Sequence, residues 1–274
     1  MKKSYLLFLS VMMFLLVITG CSTNDQSKQP AEKKQPVAEK QAAPEENVEL
    51  TISAAASLQD ALTEITANFN KEHGNVKINY NYGASGALQQ QISQGAPVDL
   101  FFSAAEDKFD ALVKDGLIEE KDGIDLVGNE LVLVVPKEST KGIKTFEDLP
   151  KADKISIGTP ESVPAGKYGK EVLGNLNIWS NVEGKIVYAK DVRQVLTYVE
   201  TGNVDAGMVY KTDALTSDKV EIAATASELT HTPIIYPVGV IKASSHQKEA
   251  MLFYDYLKTK AAMDVFEKYG FKGL

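Results

Sequence analysis

Arginine, cysteine, histidine and tryptophan are nearly missing from this chain of 274 residues: it has one Cys, one Trp, three His and a single Arg among 29 basic residues. The lone Cys21 excludes an internal disulfide framework, and His73, His231 and His246 lie too far apart in sequence to predict a zinc cluster. Positive charge is also in deficit. With 29 basic against 37 acidic side chains, the net charge of −8 argues against a nucleic-acid groove and, on its face, against an anionic ligand. What the chain does have is length and a 44% hydrophobic content, enough to bury one large or two small cores without staples.

Lys2 and Lys3 precede an apolar run from Tyr5 to Ile18, shorter than the roughly 20 residues of a membrane span but of the length of a signal-peptide core. The run ends Ile18-Thr19-Gly20-Cys21. A small residue before cysteine at this point resembles the lipobox of bacterial lipoproteins, so residues 1–20 read as a cleaved signal peptide and Cys21 as the lipidated membrane anchor. Residues 22–47 carry almost no large apolar side chain except Val37 and cannot offset chain entropy by burial. With Cys21, they form a disordered tether (21–47) spanning roughly 30 Å. Loss of 1–20 leaves 27 basic against 37 acidic residues, a charge of −10.

From Val48 onward strands and helices alternate. Val48–Ser53, Val76–Asn81 and Val98–Ser103 read as strands, each followed by a helical pattern: Leu58–Phe69, Gly86–Ser93 and Phe109–Val113. Glu119–Asp125, rich in charge, reads as a solvated loop. Leu131–Val135, closed by Pro136, is an apolar strand that crosses to a second series: strand Lys154–Gly158, helix Ala165–Leu173, strand Lys185–Ala189, helix Val192–Glu200, strand Val204–Val209. A third apolar run, Ile234–Ile241, leads into a helical region from Gln247 to Lys268. If that region packs back on the first series, two α/β lobes with mainly parallel sheets face each other across a cleft.

Helix starts that follow strands present unpaired N–H groups and the positive end of the helix dipole, which favour an anion. Four such starts read Ala54-Ala55-Ala56-Ser57-Leu58, Gly83-Ala84-Ser85-Gly86-Ala87, Val163-Pro164-Ala165-Gly166 and Lys190-Asp191-Val192-Arg193. Ser57 and Ser85 fit as first-turn residues; their hydroxyls either cap the helix or donate outward to a ligand. Ala165 and Val192 offer backbone N–H groups only.

Ala54–Leu58, Gly95-Ala96-Pro97-Val98-Asp99-Leu100-Phe101, Val163–Gly166, Asp191-Val192-Arg193, Val209-Tyr210, Phe253–Leu257 and Tyr269-Gly270-Phe271 occur in this order. Together they resemble the molybdate-binding proteins of ABC-type uptake systems, over essentially all of Val48–Leu274. The resemblance implies the two-lobed fold of type II periplasmic binding proteins, with 48–130 and 234–274 as lobe 1 and 131–233 as lobe 2. It implies no enzyme activity, no cofactor and no nucleic acid. The expected protein is a monomeric, extracytoplasmic, lipid-anchored carrier of molybdate or tungstate that delivers its ion to an ABC permease. The family's contacts fall on Ser57 and Ser85 through hydroxyl and N–H, on Ala165 and Val192 through N–H, and on Tyr210 through its phenol. No residue coordinates the metal directly; molybdenum is held through its oxygens.

Donor inventory supplies the logic. A tetrahedral dianion needs donors and no acceptors, which hydroxyls and amides provide without a charged side chain. Phosphate, retaining a proton near neutral pH, would need an acceptor. Two rivals stand beside this reading. Arg193 could form a bidentate clamp for a carboxylate or phosphate, and Gly83–Ala87 half-resembles a nucleophile elbow with Ser85 as nucleophile, although Ala87 replaces the final glycine. An adhesive or structural lipoprotein is the remaining class.

Overall fold

The structure, a computed structural model, describes residues 46–274. The expected signal peptide, Cys21 and the tether up to residue 45 lie outside the described residues.

Strand β1 (Val48–Ala55) runs through one 3-10 turn (Ala56–Leu58) into α1 (Gln59–Phe69). Ala61, Leu62, Ile65 and Phe69 of α1 fall on one helical face and are buried. Then β2 (Val76–Gly83), α2 (Ser85–Ser93), β3 (Leu100–Phe102) and α3 (Glu106–Lys114) repeat the unit. β2 and β3 flank β1 in parallel register, as the strand-helix alternation predicts.

The next segment departs from expectation. Glu119–Asp125 is not a loop but the middle of strand β4 (Ile118–Gly128), buried at Ile118 and again at Leu126–Gly128. Its charges face water while its backbone pairs with a strand more than a hundred residues away, at Ile235–Ile241. Local composition reports the solvated face and not the distant partner.

The second sheet starts at β5 (Leu131–Pro136), whose unbroken apolar run is buried up to Val135. There follow β6 (Ile155–Gly158), α4 (Pro164–Asn175), α5 (Trp179–Val182), β7 (Ile186–Ala189), α6 (Val192–Glu200), β8 (Ala206–Tyr210), α7 (Lys211–Ala214) and β9 (Val220–Thr225). Their order is β7-β6-β8-β5-β9. β9 is an edge strand with Glu221 and Ile222 exposed, and its weak alternation gave no strand reading.

β10 (Ile235–Ile241) then returns to the first sheet, followed by α8 (Gln247–Leu257), α9 (Lys260–Lys268) and β11 (Lys272–Gly273). That sheet has the order β11-β4-β10-β3-β1-β2. The result is the expected two-lobed α/β fold, with one refinement. Pairing is parallel around β1 and β6, but β4, β5, β9, β10 and β11 pair antiparallel, so each sheet is mixed rather than mainly parallel. These strands do not enter their sheets by a right-handed βαβ crossover, which is what enforces parallel direction.

The two passages between sheets run side by side. Asn129 N–H donates to the Ile234 carbonyl at 3.1 Å, and Ala226 N–H donates to the Leu131 carbonyl at 2.9 Å.

Candidate functional site

Each lobe delivers helix starts to the cleft, and local sequence explains how. On the second lobe, α4 begins hard against the end of β6: a Cβ on Gly166 would sit 1.9 Å from the carbonyl oxygen of Gly158. Only glycine permits that approach, and it carries Ala165 to the sheet's edge. Pro164 at the first helical position removes one unpaired donor without loss. At α6, the side chain of Asp191 accepts from Gln194 N–H at 2.8 Å, and Gln194 Oε1 accepts from Lys190 N–H at 2.8 Å. This reciprocal cap fixes the first turn and leaves Val192 N–H without an intrahelical partner.

The five residues expected as ligand contacts, Ser57, Ser85, Ala165, Val192 and Tyr210, all line one small pocket. The rest of its wall is Ala55, Ala56, Gly83, Ala84, Ala104, Val163 and Pro164. None of these carries a charged side chain. Small residues let main-chain N–H groups approach the centre, and the absence of carboxylates from the wall removes a source of repulsion for an anion.

Neither serine caps its own helix. Ser85 Oγ accepts from Ala104 N–H at 2.9 Å, which leaves the serine proton unassigned within the protein. Ser57 Oγ lies 2.9 Å from the Tyr236 hydroxyl. Ala104 and Tyr236 were not anticipated as neighbours of the site. Tyr236 is 179 residues from Ser57 in sequence, and its place in an apolar strand run reads simply as core.

Tyr210 ends β8 and starts α7. Its backbone N–H donates to Asp213 Oδ2 at 3.2 Å, and its ring meets Tyr236 edge-on at 5.7 Å. Only 1% of the residue is exposed, yet among the described residues no group meets hydrogen-bond geometry with the phenol oxygen. Burial pushes the phenol pKa well above its ordinary value, so the group stays a neutral O–H donor. A buried donor left unpartnered at a pocket wall is costly unless something in the pocket accepts from it.

Arg193 is not on the pocket wall. Its guanidinium pairs with Asp60 of α1, across the cleft, and its Nε lies 2.7 Å from Asp213 Oδ1. That second contact is too bent for a hydrogen bond and acts as an ion pair. Burial pushes the Asp213 carboxyl up to about 6, with Arg193 opposing the shift. The clamp reading is thereby corrected: two carboxylates already occupy the fork that it required. The lobes touch at a second place, where Gly86 N–H donates to the Ser162 carbonyl at 3.0 Å.

The hydrolase reading also fails on geometry. His231 Nδ1 contacts the Thr232 carbonyl at 2.7 Å, and His246 Nδ1 lies 3.5 Å from Asp99. Among the described residues, no histidine is hydrogen-bonded to Ser85.

Comparison with known proteins agrees with this geometry. The family model described as bacterial extracellular solute-binding protein matches residues 50–272. The Bacillus subtilis protein named "Putative ABC transporter substrate-binding lipoprotein YvgL" is 57% identical over 271 residues, 99% of each chain. Molybdate-binding protein ModA of Escherichia coli is 38% identical over 228 residues, 81% of this chain and 88% of that one. Among solved structures, the periplasmic molybdate-binding protein of Azotobacter vinelandii matches with a TM-score of 0.73 at 22% identity, covering 81% of this chain and 98% of that one, a likeness of fold. These relatives are solute-binding proteins rather than enzymes. On the family match and the two sequence relatives, this chain belongs to the bacterial extracellular solute-binding proteins of ABC transporters.

Proposed function

We propose that this solute-binding protein captures molybdate, and tungstate with it, and hands the ion to an ABC permease while anchored outside the cytoplasm through Cys21. The observation that carries the reading is the convergence of Ser57, Ser85, Ala165, Val192 and Tyr210 on one uncharged pocket. In it the hydroxyls of Ser57, Ser85 and Tyr210 and the backbone N–H groups of the helix starts converge on a tetrahedral dianion. The dipoles at the helix starts, about half a charge each, offset its charge without a cationic side chain.

Lobe 1 (48–130 and 234–274) contributes Ser57 and Ser85; lobe 2 (131–233) contributes Ala165, Val192 and Tyr210. Neither donor set is complete alone, so the ion draws the lobes together, and the closed monomer is the form presented to the permease. The naming of two relatives for molybdate binding and for a lipoprotein supports the reading. Arg193 acts between the lobes and not on the ion.

Calorimetric titration with molybdate, tungstate, sulfate and phosphate tests it. Tight binding of the first two, with weak sulfate and no phosphate, is the expected result. Equal affinity for all four, or none for molybdate, sinks the assignment.

A further inference from the structure

Tyr236 does not line the pocket, and it is fully buried in β10. Its ring packs edge-on against Tyr210 at 5.7 Å and Phe271 at 5.4 Å. Its hydroxyl nevertheless touches Ser57 Oγ, and the hydrogen bonds behind it determine which way the protons point.

The chain starts at the crossing between the two sheets. Glu130 N–H donates to Asn129 Oδ1 at 2.8 Å. A carbonyl oxygen must face that N–H, so the Asn129 amide has one orientation, with its NH2 group toward Thr212 Oγ1 at 3.0 Å and the Tyr236 oxygen at 3.1 Å. Tyr236 therefore accepts from Asn129. Its single proton is left for Ser57 Oγ at 2.9 Å, the other group among the described residues that meets hydrogen-bond geometry with it. Ser57 in turn accepts from Tyr236, and its own proton is free for the pocket.

Ser85 reaches the same condition by a shorter route, because its oxygen accepts from Ala104 N–H. Burial holds the Tyr236 phenol well above its ordinary pKa, so the proton that the relay needs stays in place at any pH the protein meets.

We infer that Tyr236, oriented by Asn129, is a positioning residue that makes Ser57 a donor toward the pocket and so sets selectivity against oxyanions that carry a proton. The inference rests on the oxyanion reading above. A hydroxyl free to rotate can accept as well as donate, and a singly protonated oxyanion needs one such acceptor. With Tyr236 donating to it, Ser57 has no acceptor for its own proton among the described residues, so turning a lone pair toward the pocket would leave that proton unpaired. Fully ionised molybdate meets only donors, whereas phosphate near neutral pH brings a proton that finds nothing to accept it.

The test compares wild type, Tyr236→Phe, Ser57→Ala and the double variant, titrated calorimetrically with molybdate and with inorganic phosphate near neutral pH. Tyr236→Phe keeps the ring and its packing. It should weaken molybdate binding about tenfold while phosphate binding becomes measurable, so that the ratio of the two affinities narrows by more than the molybdate loss alone. In the Ser57→Ala background the same change should do nothing further, because Tyr236 acts through Ser57. A merely structural tyrosine would lower both affinities alike and add its loss to that of Ser57→Ala. That pattern, or an unchanged affinity ratio, overturns the inference. Should Tyr236→Phe not fold, Asn129→Ala removes the donor that orients the phenol, and the same readings apply. Failure of wild type to bind molybdate would strike the oxyanion reading itself, a result distinguishable from a wild type that binds and a variant that does not differ.

Discussion

Gly86 and Ser162 meet backbone to backbone across the cleft, Gly86 N–H on the Ser162 carbonyl at 3.0 Å, with no room for a side chain between them. Gly86 is the second residue of α2, beside Ser85; Ser162 stands just before the turn that presents Ala165. The contact therefore joins the helix starts of both lobes at the edge of the pocket.

A Cβ on Gly86 would lie 2.8 Å from the Ser162 oxygen and 2.9 Å from its Cα. Backbone on both sides cannot yield cheaply, so Gly86→Ala should hold the lobes apart and weaken molybdate binding by tenfold or more, about 1.4 kcal/mol. Stability without ligand should stay level or rise by up to about 1 kcal/mol, since alanine favours the helix. Calorimetry beside urea denaturation would show the two effects moving in opposite directions; a parallel loss of both would refute the steric account.

Tyr210→Phe removes a hydroxyl that is buried and has no hydrogen-bond partner among the described residues. Ligand-free stability should not fall, whereas molybdate affinity should drop by about 1–3 kcal/mol, the size of a hydrogen bond to a charged group. Ser57→Ala and Ser85→Ala should each weaken binding within the same range, but with some loss of ligand-free stability, because Tyr236 and Ala104 N–H then lose their acceptors. Thermal melts with and without molybdate separate the two cases.

Arg193 and Asp60 tie α6 to α1 across the cleft. Arg193→Lys and Asp60→Asn should each raise the molybdate dissociation constant a few-fold, about 1 kcal/mol or less for a partly exposed pair. The double variant should be no worse than Arg193→Lys alone, since Asp60 acts through Arg193, as a double-mutant cycle would reveal. Loss of nearly all affinity in Arg193→Lys alone would revive a direct clamp on the ligand.

Asp213 gives a pH signature. Burial raises its carboxyl from the ordinary 3.8 to about 6, so between those values the native state holds a proton that the unfolded chain has released. Stability contributed by this group therefore falls as pH rises through that window, and is at its greatest below it. Asp213→Asn abolishes the titration. Urea midpoints of wild type relative to Asp213→Asn should decline from about pH 4 to about pH 6, and a flat difference would contradict the burial argument.

Much of the architecture was legible because it rests on local pattern. Leu62, Ile65 and Phe69 declare the buried face of α1, and the runs Leu131–Val135 and Ile234–Ile241 declare buried strands, since burial and periodicity are written in neighbouring residues. β4 was not legible: Gly123, Ile124 and Asp125 pair their backbone with β10, while Glu119 to Asp122 show only charge to a local reading. The resemblance singles out Ser57, Ser85, Ala165, Val192 and Tyr210, which share one pocket wall. Ala104 of that wall, and Tyr236 and Asn129 behind it, are not legible locally, because Ala104 contributes only a backbone N–H and the other two look like ordinary core and turn.

Local sequence thus sets the alternating strands and helices, the small, uncharged helix starts at Ser57, Ser85 and Ala165, and the start at Val192, whose neighbours Lys190, Asp191 and Arg193 are charged. Those depend on side-chain size, spacing and backbone donors within a few residues. Only the tertiary structure decided that these starts converge, that Arg193 faces two carboxylates instead of the pocket, and that Asn129 and Tyr236 stand behind Ser57. Such relationships join residues as far apart as 179 positions. They arise from how two sheets exchange strands, an arrangement that local periodicity does not encode.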